Sequence, residues 1–270
     1  MQFADLELAR RIEMADAATG RACAKSVERR HPEVGAAILE VGGGVAMFTG
    51  IGSPISQAVA LGLCGPVAEA DVERMESFYR ERGSPVNIEL CPYADASLVA
   101  LLGNRGYRPT EFTNVLVRPL KRREKFPAPA KGVRVRLARR SETELWARTL
   151  AEGFAEHFPV TPELLNVVSV FPERPRAICL FGLVDGELAG GAVLSMNDGL
   201  AVLGGASTLP AFRRRGLQTA LQHARLRRAA AGGCDLAMTM TLPGSASQRN
   251  AERQGFRVVY TRVKFLREWK

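Results

Sequence analysis

At 270 residues, with 46% hydrophobic and 24% charged side chains, the chain has the composition of a globular protein built as one large domain or two ordinary ones. No apolar run reaches the roughly 18 residues a membrane span needs, and the charged start MQFADLELARRIEMADAATG carries no signal-peptide core, so a cytoplasmic protein without membrane contact is expected. The net charge of +9 is uneven: 11 Lys/Arg face 15 Asp/Glu through Val117, and 26 face 13 from Arg118 onward, which points to two domains with a phosphate-rich ligand in the basic one.

In the first half, ADVERMESFYRERG has a helical pattern with Glu69 and Asp71 in its first turn, and VNIELCPY and EFTNVLV alternate as strands. RPLKRREKFPAPAKG, Arg118 to Gly132, is basic and proline-containing without amphipathic period, and is expected to be a solvated linker. VRVRLARR then alternates as a strand, and ETELWARTLAEGF predicts a helix behind a Ser141 cap with Glu144 completing a capping box. PELLNVVSVF is a second helix opened by proline. Three strands follow through Thr208, parted by the hairpin signals Asp185-Gly186 and Asp198-Gly199. The helix LQTALQHARLRRAA buries Leu217, Ala220, Leu221 and Ala224, and its His223 is expected to be exposed. Strand DLAMTMTL, helix SASQRNAERQGF and strand RVVYTRVKFL complete a β-α-α-β-β-β-α-β-α-β order.

A shift of 149 positions lays LLGNRGYRPTEFTNVLV on AERQGFRVVYTRVKFL, with Gly106-Tyr107-Arg108 on Gly255-Phe256-Arg257. It also lays VNIELCPY on DLAMTMTL, and the acidic helix on the basic one. One fold duplicated in tandem explains this order. The expected domains are a degenerate N-terminal copy over 1–120, a linker over 121–132, and a C-terminal copy over 133–270. At that shift Cys64-Gly65-Pro66-Val67-Ala68-Glu69 faces Arg213-Arg214-Arg215-Gly216-Leu217-Gln218. Acids satisfy a helix N-terminus by themselves and repel phosphate, whereas arginines at that end of the dipole call for an anion. Glycine lets the backbone turn so that successive N–H groups converge on it. Only the second copy is built to hold a phosphate.

Other constellations fail. Five scattered cysteines without a CxxC pair read as free thiols, and three histidines without ligand spacing give no metal site. There is no GxxxxGK[ST] loop and no GxSxG elbow.

PAFRRRGLQTAL resembles the acyl-CoA loop of GNAT-type N-acetyltransferases, Arg/Gln-x-x-Gly-x-Gly/Ala. Arg213 and Gly216 match its first two fixed positions, and Gln218 stands where a small residue is usual. NAERQGF resembles the family's later Gly-Phe segment, and the element order from Val133 onward resembles that of the family. The resemblance implies an α/β fold with a mixed sheet, in tandem form like mycothiol synthase. It further implies that acetyl-CoA is co-substrate, with its pyrophosphate on the amides of Arg215, Gly216, Leu217, Gln218 and Thr219. Arg213, Arg214 and Arg215 would approach the phosphates, and the pantetheine arm would pair beside Ala206-Ser207-Thr208. Asn250 is a further cofactor-side candidate.

The acceptor implied is an amine on a small molecule or peptide, with its identity and the oligomeric state left open. The family often carries a tyrosine acid five residues before the Phe of Gly-Phe, and here that position is Ala251. Glu152 and His157, which flank the first helix–helix connection, and Tyr260 are weak catalytic candidates. Tyr260 is better explained by packing, and Phe154, Phe158 and Phe171 by core positions. Two rival readings are a non-catalytic acyl-CoA sensor and a nucleic-acid-binding protein. The second lacks aromatic interleaving and a docking motif.

Overall fold

The computed structural model describes residues 4–155 and 159–269. Its helices are α1 (Leu6–Arg30), α2 (Glu69–Arg80), α3 (Ala96–Asn104), α4 (Thr143–Glu152), α5 (Pro162–Ser169), α6 (Leu217–Ala231) and α7 (Ala246–Arg253). The strands are β1 (Ala37–Val41), β2 (Gly44–Phe48), β3 (Gln57–Val59), β4 (Val86–Leu90), β5 (Arg108–Pro119) and β6 (Val133–Leu137). They continue as β7 (Ala177–Val184), β8 (Glu187–Asn197), β9 (Leu200–Val202), β10 (Ala206–Thr208), β11 (Leu236–Thr241) and β12 (Arg257–Arg267). Adding 149 to the bounds of α2, β4, α3 and β5 gives 218–229, 235–239, 245–253 and 257–268, which overlie α6, β11, α7 and β12. The duplication is therefore visible in the elements themselves.

The chain forms two compact units. One comprises Met1–Leu116, Thr241–Ser245 and Val258–Lys270; the other comprises Val117–Met240 and Ala246–Arg257. The final strand, last in the second repeat's sequence order, thus clusters with the first unit.

In the first unit the strands run β1-β2-β3-β4-β12-β5. β12 lies antiparallel to β4, with Val263 opposite Leu90 and Arg267 opposite Val86. α2 and α3 bury Val72, Met75, Tyr79, Leu98 and Leu102 against Ala46, Phe48 and Ile88 of the sheet. α1 is capped by Asp5, whose carboxylate accepts the Leu8 N–H at 2.8 Å. From α1, Glu13 and Asp16 take a buried arginine, with Arg262 Nε at 2.8 Å from Glu13 Oε1 and Nη1 at 2.8 Å from Asp16 Oδ2.

In the second unit the order is β11-β9-β8-β7-β6, and β10 pairs with β8. Alternation along β7 and β8 divides the apolar residues between two faces. Leu180 and Ala192 pack with Leu217, Ala220 and Leu221 of α6. Cys179, Phe181 and Val193 pack with Trp146, Ala147 and Leu150 of α4 and Val168 of α5. Both predicted hairpins form, with Asp185 at φ 52° and Asp198 at φ 45° followed by left-handed glycines. The third predicted strand is broken into β9 and β10. Its register against β8 moves by one residue between Val202, opposite Ser195, and Ala206, opposite Ala192.

The expected Ser141 cap is a correction. Arg140–Glu142 is a single 3-10 turn, and α4 starts at Thr143 without a side-chain cap. Glu142 is drawn instead to Arg136 of β6, at 2.7 and 2.8 Å, and to the Arg139 N–H at 2.9 Å.

Candidate cofactor loop and acyl-transfer site

The loop between β10 and α6 begins at Leu209, whose N–H donates to Ala189 O at 2.8 Å. A 3-10 turn over Pro210–Phe212 delivers the three arginines. Arg214 at φ 61° and Gly216 at φ 81° are both left-handed. These two positive-φ residues, with Arg215 between them, turn the chain sharply into the start of α6. Gly216 is the N-cap of α6 with no side-chain cap, and the first turn holds no acid. The amides of Leu217, Gln218 and Thr219 have no intrahelical acceptor at that end of a helix. Its left-handed φ favours glycine at 216, and a Cβ there would press on the Ala130 methyl at 3.3 Å.

The arginine side chains divide. Arg213 turns back, its Nε donating to Thr208 O at 3.3 Å and its Nη2 to Gly153 O at 3.4 Å. Arg215 pairs with Asp185 of the β7–β8 turn. Arg214 is exposed. Gln218, at the departure from the family pattern, donates through Nε2 to Thr208 Oγ1 at 3.0 Å and so ties the helix start to the strand end.

β10 pairs with β8 through Ala206↔Ala192, Ser207↔Gly191 and Thr208↔Gly190, while on the other side of β9 the strand β11 pairs with Leu200–Val202 of β9. β10 therefore carries a strand edge that β11 does not take up, immediately upstream of the anion-ready loop. Ser207 is buried, its Oγ donating to Leu150 O at 2.8 Å. A Cβ on Gly153 would meet Ser207 Oγ at 2.2 Å, so the end of α4 packs directly on β10 only because residue 153 has no side chain.

Of the weak catalytic candidates, Glu152 belongs to the second unit and Tyr260 to the first. Glu152 is the exposed last residue of α4. His157 and Phe158 lie outside the described residues. Phe154 and Phe171 pack against the α4–α5 core, as expected. Tyr260 is 7% exposed and donates to Glu13 Oε1 at 2.7 Å in the first unit, and burial pushes its phenol well above the ordinary range. Asn250 accepts from Arg253 Nη1 at 3.2 Å. Ala251 is 3% exposed, facing the core beneath α7. Among the described residues no cluster of His, Cys, Asp or Glu could hold a metal, and no helix is long and apolar enough to cross a membrane.

His223 corrects the expectation of exposure: it is 9% exposed. The linker folds back over it, placing the Phe126 ring 5.3 Å from the imidazole, while Nε2 sits 2.5 Å from Gln254 Oε1. The linker is anchored by Arg118, which donates to Gln254 O at 2.6 Å and pairs with Glu124. That carboxyl is held below its usual range by the guanidinium. Linker and helices border an open cleft of about 610 Å³ lined by Arg118, Phe126, Gly216, Thr219, His223 and Arg253. Composition could not locate this cleft. The one visible signal was a lone phenylalanine inside a basic run.

Residues 143–256 match the family model described as Acetyltransferase (GNAT) family. Among curated proteins none matches the sequence. Of solved structures, a GCN5-related N-acetyltransferase from Kribbella flavida is 21% identical, with 94% of this chain and 96% of that one covered and a TM-score of 0.66. A GCN5-related N-acetyltransferase from Sphaerobacter thermophilus is 20% identical over 73% and 66%, with a TM-score of 0.56. A tandem GNAT protein from the clavulanic acid biosynthesis pathway is 16% identical over 86% and 81%, also at 0.56. Residues 143–256 thus match the GNAT family model, and the fold is that of GNAT proteins in tandem form.

Proposed function

We propose that the protein transfers an acetyl group from acetyl-CoA to an amine of a small molecule or peptide, with the cofactor bound in the second unit. The observation that carries this reading is the bare start of α6: no cap, no acid, a left-handed glycine, and an arginine exposed beside it. The pyrophosphate sits on the amides of Arg215 to Thr219, where the dipole and the free N–H groups both favour an anion. Arg214 supplies a fork to the phosphates, while Arg213 and Arg215 hold the loop through Thr208, Gly153 and Asp185. The pantetheine arm pairs along Thr208, Ser207 and Ala206 as an extra strand. The nucleotide end extends toward the cleft between α6 and the linker, where Arg253 offers a second cation.

Transfer then needs a neutral amine placed against the thioester carbonyl, stabilisation of the oxygen as charge gathers on it, and departure of the thiolate. The amine loses a proton, and the departing sulfur gains one from water or leaves as thiolate. A thiol of pKa about 8.5 does so with little help. This matches a chain with alanine where a tyrosine acid is usual. The buried state of Ala251 also suits the rival reading, an acyl-CoA-binding sensor that transfers nothing.

Free-thiol release from acetyl-CoA, followed with a thiol reagent across a panel of amines and peptides, separates the two. Acetylated product with stoichiometric CoA supports the transferase. Tight acetyl-CoA binding with no amine-dependent release across the panel supports the sensor.

A further inference from the structure

Arg225 of α6 is 5% exposed, and its hydrogen bonds all run to backbone carbonyls. It donates to Leu221 O one turn back at 3.4 Å, to Val193 O of β8 at 3.4 Å, and to Gly204 O at 3.0 Å. Among the described residues no carboxylate pairs with it, and burial alone lowers its guanidinium to about 10. An unpaired cation is costly to bury, and a leucine or methionine would fill the same space without that cost. Its carbonyl partners lie at one place.

Gly204 belongs to the Leu203–Gly205 bulge, where β9 becomes β10. Here the strand leaves β11: Val202 is the last residue paired with Met238, and Leu203 N–H reaches Met238 O at 2.9 Å. Gly205 O accepts from Val193 N–H at 2.9 Å. In a trans peptide the C=O and the following N–H point opposite ways. With Gly204 C=O aimed at Arg225, the Gly205 N–H is aimed away from it. A cation on the carbonyl end of a peptide polarises the group and strengthens its N–H as a donor.

We propose that Arg225 is a positioning residue for acyl transfer: it locks the Leu203–Gly205 bulge and presents the Gly205 N–H, polarised from behind, to the thioester carbonyl. This rests on the cofactor reading above. A phosphate end after Thr208 and an arm laid back along Ser207 and Ala206 bring the acyl end of the cofactor to the bulge. A rigid donor at that oxygen gains most as the oxygen becomes negative, so it acts on turnover more than on binding.

The test uses full-length protein, [1-13C]acetyl-CoA and three readouts: calorimetric binding, amine-dependent turnover, and the infrared stretch of the bound thioester carbonyl. Arg225→Gln keeps a donor and removes the charge; Arg225→Lys keeps the charge. The expected result is a carbonyl stretch in the wild type below that of acetyl-CoA in water. Arg225→Gln moves it back toward the free value and loses about thirtyfold in kcat, with the acetyl-CoA KM changed less than about threefold. Arg225→Lys recovers part of both.

Leu226→Ala, a cavity in the same helix at a fully buried position, lowers Tm without moving the stretch. Wild-type binding with an unshifted stretch overturns the role of Arg225, whether or not the variants fold. So do an Arg225→Gln variant that keeps wild-type kcat and an equal shift in Leu226→Ala. Absence of acetyl-CoA binding in the wild type overturns the cofactor reading itself.

Discussion

The starts of α2 and α6 occupy the same place in two copies of one fold, yet they are finished in opposite ways. At α2, Asp71 lies within 3.4 Å of the Ala68 N–H. Glu69 and Glu73 are neutralised from outside by Arg105, at 2.8 and 3.1 Å. Neither helix has a side-chain cap on its first-turn amides, but α2 carries its own acids against the dipole. At α6 there is neither acid nor cap, and two of the three loop arginines are spent on Thr208, Gly153 and Asp185. Duplicated backbones therefore need not carry duplicated electrostatics, because a handful of first-turn residues sets whether a helix start holds acids or none.

The largest way to break this contrast is Gly216→Glu, which gives α6 the acid that α2 has. A carboxylate at the loop repels phosphate and fills its place, so acetyl-CoA affinity should fall more than about a hundredfold. The left-handed φ adds strain of about 1–2 kcal/mol, so Gly216→Ala is the control: it should lose stability similarly while keeping measurable binding. Calorimetry and thermal unfolding on both variants separate charge from strain.

A smaller effect is expected at Tyr260. Its phenol is held by Glu13 within the first unit, and Glu13 keeps Arg262 when the hydroxyl is removed. Tyr260→Phe should cost about 1 kcal/mol of stability and leave turnover within about threefold. A hundredfold loss of turnover with unchanged acetyl-CoA affinity would make the phenol part of the chemistry instead.

The smallest effect concerns Glu142, whose carboxyl Arg136 and the Arg139 N–H hold down at about 2. A carboxylate with a depressed folded pKa adds stability that is fully present above its ordinary value near 4.5 and lost as pH falls through about 2. Glu142→Gln should thus shift Tm by no more than about 2 °C at pH 7, as for an exposed pair. Thermal scans should converge with wild type at the acid end of that window.

Much of the second unit was legible. Asp185-Gly186 and Asp198-Gly199 specify their hairpins because only a few residues tolerate the required left-handed backbone. Helix periodicity placed Leu217, Ala220 and Leu221 on the core. What escaped the sequence depended on side-chain pairings that local propensity does not see. The Ser141 cap failed because Glu142 finds a better partner in Arg136, at the end of the preceding strand β6. His223 is covered because Phe126 and the Arg118–Glu124 pair fold the linker onto α6, while most of the linker stays exposed as its composition implies.

The bulge at Gly204-Gly205 was present in the letters but merged into one strand, since period-two patterning continues on both sides of it. Ala251 was visible as a missing tyrosine. Its burial adds that a tyrosine at 251 would overpack the core.

On the reading proposed above, one copy binds the cofactor and the other does not. The most direct test is an isothermal titration of the full-length chain with acetyl-CoA, repeated on Gly216→Glu and on Asp71→Ala. One site per chain is expected, abolished by Gly216→Glu and retained at unchanged stoichiometry by Asp71→Ala. Two equivalent sites, or a single site that survives Gly216→Glu and disappears with Asp71→Ala, would contradict it.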